Sequence, residues 1–144
     1  MQHPNTEPLK CGIDEVGRGP LAGPVTAAAV ILPPHFDRSV LADSKKLSAS
    51  RRERLEVLLL EHGVRFGLGW VENDEIDRLN IHNATLLAMH RAYEALRAIC
   101  PTGPLDVTTD GRFCPPEVPR CRAMIGADAT VPEVMAASII AKNA

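Results

Sequence analysis

The sequence predicts an α/β fold, a mixed sheet with helices packed on its faces. Two observations carry this. Runs of strand length and runs of helical period follow one another along the chain, three strands first and then helix, strand, strand and helix. One of these runs, residues 25–32, is apolar on both faces, the pattern of a central strand covered from both sides. At 144 residues the chain is sized for one domain with a core of its own.

Residues 1–9 are polar, carry Pro4 and Pro8 and hold no apolar signal segment. They read as a flexible leader to a domain over 10–144. Cys11-Gly12-Ile13-Asp14 is a short strand, broken where glycines begin at Gly17. Residues 25–32 form the second strand, and Pro33-Pro34 ends it. Ser50-Arg51-Arg52-Glu53 fits a capping box, and Leu55, Leu58 and Leu59 follow at helical spacing until Gly63. Val64, Phe66, Leu68 and Trp70 alternate with Arg65, Gly67 and Gly69, which predicts a third strand with one face buried.

A helical turn over 74–79 leads into a longer helix with Leu86, Met89, Tyr93 and Leu96 as its apolar stripe. Pro101 closes it. Residues 105–109 and 121–125 are strands. Thr130-Val131-Pro132-Glu133 is a second capping box, with proline in the first turn. The helix that follows, over 134–141, is apolar nearly all round and must be buried.

An apolar fraction of 45% and a charged fraction of 24% are those of a soluble globular protein. No run approaches the ~18–20 apolar residues of a membrane span, so no membrane partner and a cytoplasmic location are expected. The net charge of −2 excludes a generally basic coat; nucleic-acid binding would need locally concentrated positive charge. Cys11, Cys100, Cys114 and Cys121 form no CxxC pair and read as reduced, packed thiols. The histidines form no HExxH pair, which leaves oxygen ligands for any metal.

Asp14-Glu15 stands where a strand gives way to glycines. Asp110 ends residues 105–109 in the same way, with Gly111 behind it. Adjacent strand residues point to opposite faces, but at a strand end the alternation can break and let both Asp14 and Glu15 reach one site. If the two strands are neighbours, Asp14, Glu15 and Asp110 converge at the edge where α/β sheets collect ligands. Such a cluster suits Mg²⁺ or Mn²⁺. The alternative is a set of solvated turn carboxylates. Gly17-Arg18-Gly19-Pro20 is either a close-approach loop with a guanidinium donor or a plain tight turn. Asp43-Ser44-Lys45-Lys46-Leu47, with Arg51, Arg52 and Arg54, is the basic concentration of the chain, either a phosphate contact or a solvated helix entry.

Taken together and in order, these segments resemble the ribonuclease HII family. The resemblance rests on the run from Gly12-Ile13-Asp14-Glu15-Val16-Gly17-Arg18-Gly19 to Val25, on Asp43-Ser44-Lys45-Lys46-Leu47, and on Glu75-Ile76-Asp77-Arg78-Leu79-Asn80-Ile81. It continues through Ala84-Thr85-Leu86-Leu87-Ala88-Met89, Asp110-Gly111, Asp128 with Val131-Pro132-Glu133, and Ala136 to Lys142.

The resemblance implies a ribonuclease-H-like mixed five-stranded sheet with flanking helices. It implies a monomeric endonuclease that hydrolyses the RNA strand of an RNA–DNA hybrid, or a DNA duplex at embedded ribonucleotides, with Mn²⁺ or Mg²⁺. Asp14, Glu15 and Asp110 would be catalytic metal ligands. Gly17, Arg18 and Gly19 would sense the 2′-hydroxyl, and Lys45 and Lys46 would lie near substrate phosphates.

Measured against the family, Asn143-Ala144 comes before an expected Arg-Asp segment and before a C-terminal helical part. On this reading the fourth catalytic carboxylate is missing, Asp128 does not replace it, and Ile139 and Ile140 lose their cover. A second hypothesis follows: a catalytically inactive remnant that binds hybrids or has no function.

Overall fold

A computed structural model describes residues 7–17, 23–42 and 47–144 of the chain. Its centre is a five-stranded sheet of β1 (Leu9–Val16), β2 (Val25–Ile31), β3 (Arg65–Val71), β4 (Leu105–Asp110) and β5 (Cys121–Met124), in the order β3-β2-β1-β4-β5. The first three strands form an antiparallel meander, and β4 and β5 join β1 in parallel. The helices are α1 (Ala49–Glu61), α2 (Asn73–Ile99), the short α3 (Ala127–Thr130) and α4 (Pro132–Asn143). This is the mixed sheet with flanking helices that the sequence predicts. β1 begins at Leu9, inside the segment read as leader, and pairs it with Leu105.

Every residue of β2 is buried. Its alternate side chains divide between two cores. Val25, Ala27, Ala29 and Ile31 join α2 on one face, and Ala28 and Val30 join α1 and α4 on the other. The face under α4 also carries Gly12 and Asp14 of β1. A Cβ at Gly12 would run into the backbone of Glu133 and Val134, so the missing side chain is what lets α4 lie directly on β1.

The same device overturns the reading of β3. Phe66 and Leu68 are half-buried and Trp70 is 44% exposed, whereas Gly67, Gly69 and Val71 are fully buried. A Cβ on Gly67 or Gly69 would strike the α2 backbone near Ala88, Ala92 and Leu96. A face of glycines has no apolar period to detect, yet it is the one that α2 covers. The matching stripe on α2 is accordingly small, with Ala84, Ala88 and Ala92 buried beside Met89, Tyr93 and Leu96, while Leu86 is only half-buried.

The predicted helical turn and longer helix meet at Asn80, which leaves the helical region with φ 66° and ψ 166°. Its Oδ1 accepts from the Asn83 N–H at 3.0 Å, capping the second segment.

Neither capping box forms as read. Ser48, not Ser50, caps α1 and accepts from the Arg51 N–H at 3.3 Å. Thr130 donates instead to the Gly126 carbonyl, and α4 starts behind Val131 without a side-chain cap. A side chain can serve only the helix start that the backbone makes, and each of these starts lies one or two residues from the one inferred.

The burial of α4 is as predicted, from Glu133 through Ala141. The loss of cover at Ile139 and Ile140 is not: each is 1% exposed, packed in the core that contains Leu41, Leu59 and Val64. Burying each contributes roughly 1.5–3 kcal/mol. The charge of buried Glu133 is matched by Arg38, 3.3 Å away.

Candidate metal centre

β1, β4 and β5 run parallel, so their C-terminal ends share one edge of the sheet, the place where open α/β sheets gather ligands. The register Ile13↔Thr109 sets Asp14 beside Asp110, and Asp110 in turn faces Met124. After β5 the chain turns through Gly126, at φ 77°, into α3, whose first turn carries Asp128. The result is a cluster in which Asp14, Asp110 and Asp128 each offer a carboxylate oxygen, all within 4.8 Å of one another.

Asp14 is 4% exposed, and its Oδ1 accepts the Glu15 N–H at 2.9 Å. Burial, opposed by that hydrogen bond and reinforced by the charges of Asp110, Glu15 and Asp128, pushes its carboxyl up to about 7. Asp110 Oδ1 is buried and accepts no hydrogen bond among the described residues. A buried carboxylate oxygen without a donor costs on the order of 1–3 kcal/mol or more, which a cation would offset. The donors are hard oxygens on three elements, the set that Mg²⁺ and Mn²⁺ prefer. The residues present therefore fit a divalent cation.

Of the residues singled out by sequence, Asp14 and Asp110 are brought together. Glu15 stays beside them. β1 remains paired with β2 through Val16, so the alternation does not break at Glu15 as anticipated. Burial first, and then the charge of Asp110, raise its carboxyl, but it stands outside the cluster of three. Gly17 is exposed just past β1, and a Cβ there would meet nothing nearer than a Glu15 carboxylate oxygen at 3.8 Å. Arg18, Gly19, Lys45 and Lys46 lie outside the described residues. Arg51 and Arg54 are exposed on α1, while Arg52 donates to the Leu47 carbonyl at 3.1 Å.

Asp128 is the residue that the sequence reading set aside, and the geometry corrects this. The signal was available: it follows β5 as Asp110 ends β4, an acid just past a parallel strand. The cysteines are free, Cys11 and Cys100 buried and Cys114 and Cys121 half-buried. Among the described residues no helix is long and apolar enough to cross a membrane.

Comparison with known proteins matches this arrangement to a family. The sequence pattern described as Ribonuclease HII matches residues 11–144. A ribonuclease HII of Treponema denticola is 50% identical over 94% of this chain and 75% of its own length. One from an Azoarcus species is 49% identical over 94% of this chain and 64% of its own length. The chain thus spans about two thirds to three quarters of these relatives. The crystal structure of the ribonuclease H2 from Pyrococcus horikoshii superimposes with a TM-score of 0.73 at 26% identity, over 92% of this chain and 70% of that one. With half its residues identical to these relatives and the same sheet in the archaeal structure, the chain belongs to the ribonuclease HII family.

Proposed function

We propose that this domain is an endoribonuclease that hydrolyses the RNA strand of RNA–DNA duplexes, including DNA with embedded ribonucleotides, using Mn²⁺ or Mg²⁺. One observation carries the reading: Asp110 Oδ1, buried and without a donor among the described residues, in a cluster with Asp14 and Asp128. Asp14, Asp110 and Asp128 would hold the cation, with Glu15 against Asp110 as the acidic wall of the site. A bound divalent cation would supply Lewis-acid activation of water and neutralise charge on the phosphodiester.

The chain's own groups set the conditions for that chemistry. Burial raises the Asp14 carboxyl to about 7 when no cation is near, so below that pH cation binding must displace its proton. At Gly17 a Cβ would meet nothing nearer than 3.8 Å, which gives a sugar room to approach, and Gly17, Arg18 and Gly19 would sense the 2′-hydroxyl. Lys45 and Lys46 would hold phosphates. The products would be 3′-hydroxyl and 5′-phosphate ends, made by a cytoplasmic monomer. The competing reading, an inactive remnant, rests on the missing Arg-Asp carboxylate; a third carboxylate from Asp128 in the cluster favours the enzyme.

The test is end-group analysis of a hybrid labelled on each strand, incubated with Mn²⁺ or with EDTA. Cutting confined to the RNA strand, leaving 5′-phosphates and abolished by EDTA, supports the reading. No cutting, or cutting of the DNA strand, contradicts it.

A further inference from the structure

Directly behind Asp110 the chain makes a turn that the carboxylate cluster does not use. Gly111, at φ 113°, donates its N–H to the Met124 carbonyl at 3.1 Å. Buried Thr109 donates its Oγ1 hydroxyl to the Phe113 carbonyl at 3.3 Å. Between these two anchors stand Arg112, exposed and without an ion pair among the described residues, and Phe113. Phe113 is 57% exposed, although aromatic side chains contribute most to a core when buried. Its ring is not loose. It meets the His82 ring edge-to-face at a centroid distance of 4.7 Å and an interplanar angle of 79°. A large ring held from the backbone and from one side, with the rest of its surface open, is organised in advance for a contact.

We propose that Arg112 and Phe113 are a nucleic-acid contact, the ring packing on the sugar of a nucleotide and the guanidinium pairing with its phosphate. The proposal rests on the reading of the site as a hybrid nuclease. Three points carry it. The turn follows Asp110 of the candidate metal centre directly, which sets it beside the place where a polymer would be engaged. A cation beside an exposed aromatic matches a polyanion that carries an apolar face on every sugar. The net charge of −2 means that phosphate attraction has to come from local cations such as Arg112.

The experiment measures binding of a fluorescent RNA–DNA hybrid by anisotropy over a salt series, with Ca²⁺ replacing Mn²⁺. The chains compared are the parent, Phe113→Ala, Phe113→Tyr and Arg112→Gln. Phe113→Ala is expected to weaken binding on the order of tenfold, and Phe113→Tyr to restore it. Arg112→Gln is expected to flatten the slope of log affinity against log salt by about one. Tm and calorimetric Mn²⁺ affinity should match the parent in all three.

Parental affinity and salt slope in Phe113→Ala and Arg112→Gln would overturn the contact. So would a fall in Tm or Mn²⁺ affinity that accounts for the weaker binding, or a parent that binds no hybrid. A parent that binds but does not cut, with Phe113→Ala still weaker, supports this contact while contradicting the proposed activity.

Discussion

A carboxylate oxygen of Asp128 lies within 4.8 Å of one on Asp14, although the two residues sit near opposite ends of the chain. The parallel run of β1, β4 and β5 makes them neighbours, and the turn at Gly126 brings Asp128 back over the sheet edge. If a cation sits among these oxygens, Asp110→Asn and Asp128→Asn should each weaken Mn²⁺ binding at least on the order of tenfold, since loss even of groups that only orient ligands costs that much. Calorimetric titration of Mn²⁺ into both variants checks this. Parental affinity in Asp128→Asn would remove it from the metal centre.

Without a cation, the raised carboxyl of Asp14 makes stability depend on pH. The folded chain holds a proton there up to about pH 7, while the unfolded chain releases it near 3.8. Between those values the folded state binds more protons, so stability falls as pH rises through the window and levels off above it. The fall is at most about 4 kcal/mol from Asp14. In EDTA, Tm should therefore drop from pH 5 to pH 8, the drop should shrink in Asp14→Asn, and Mn²⁺ should restore Tm at pH 8. A Tm that rises with pH in EDTA would contradict this account.

Gly67→Ala tests the packing of β3 under α2. The added methyl has only helix backbone to meet, and backbone cannot rotate away as a side chain can. A loss of about 1–3 kcal/mol or more is expected. Gly63→Ala is no equivalent control, because Gly63 holds φ 80° and would be strained for a different reason. Gly23→Ala is the better comparison, since a Cβ there meets nothing within 4 Å. Equal stability of Gly67→Ala and Gly23→Ala in urea denaturation would show that β3 and α2 are not in close contact.

Ile139→Ala tests the cover on α4. With Ile139 1% exposed, truncation should cost about 2–5 kcal/mol. An effect under 1 kcal/mol, read from the urea midpoint, would mean that the helix end is frayed.

β2 and α4 are legible as unbroken apolar runs, and α2 as an apolar stripe at helical spacing, because burial gathers apolar side chains in each. Asp14 and Asp110 were legible for a related reason, since an acid at the end of an apolar strand has one edge of the sheet to occupy. What escaped detection has no such pattern. The covered face of β3 is made of Gly67 and Gly69, which carry no hydrophobic signal. The caps depended on backbone geometry one or two residues from the expected start. Asp128 is harder to read, because it stands past the end of β5, in the first turn of α3, and not at a strand end.

The central claim is that Asp14 and Asp110, from two parallel strand ends, and Asp128, from the first turn of α3, hold the cation for hydrolysis of the RNA strand. Single-turnover cleavage of an RNA–DNA hybrid in Mn²⁺, by the parent chain and by Asp128→Asn at matched folded concentration, tests it most directly. The account predicts RNA-strand cleavage by the parent and a rate lower by on the order of 10²–10³ or more in the variant, the scale of losing one charge-organising group. Equal rates in the two proteins, or no cleavage by a parent that binds both Mn²⁺ and hybrid, would contradict it.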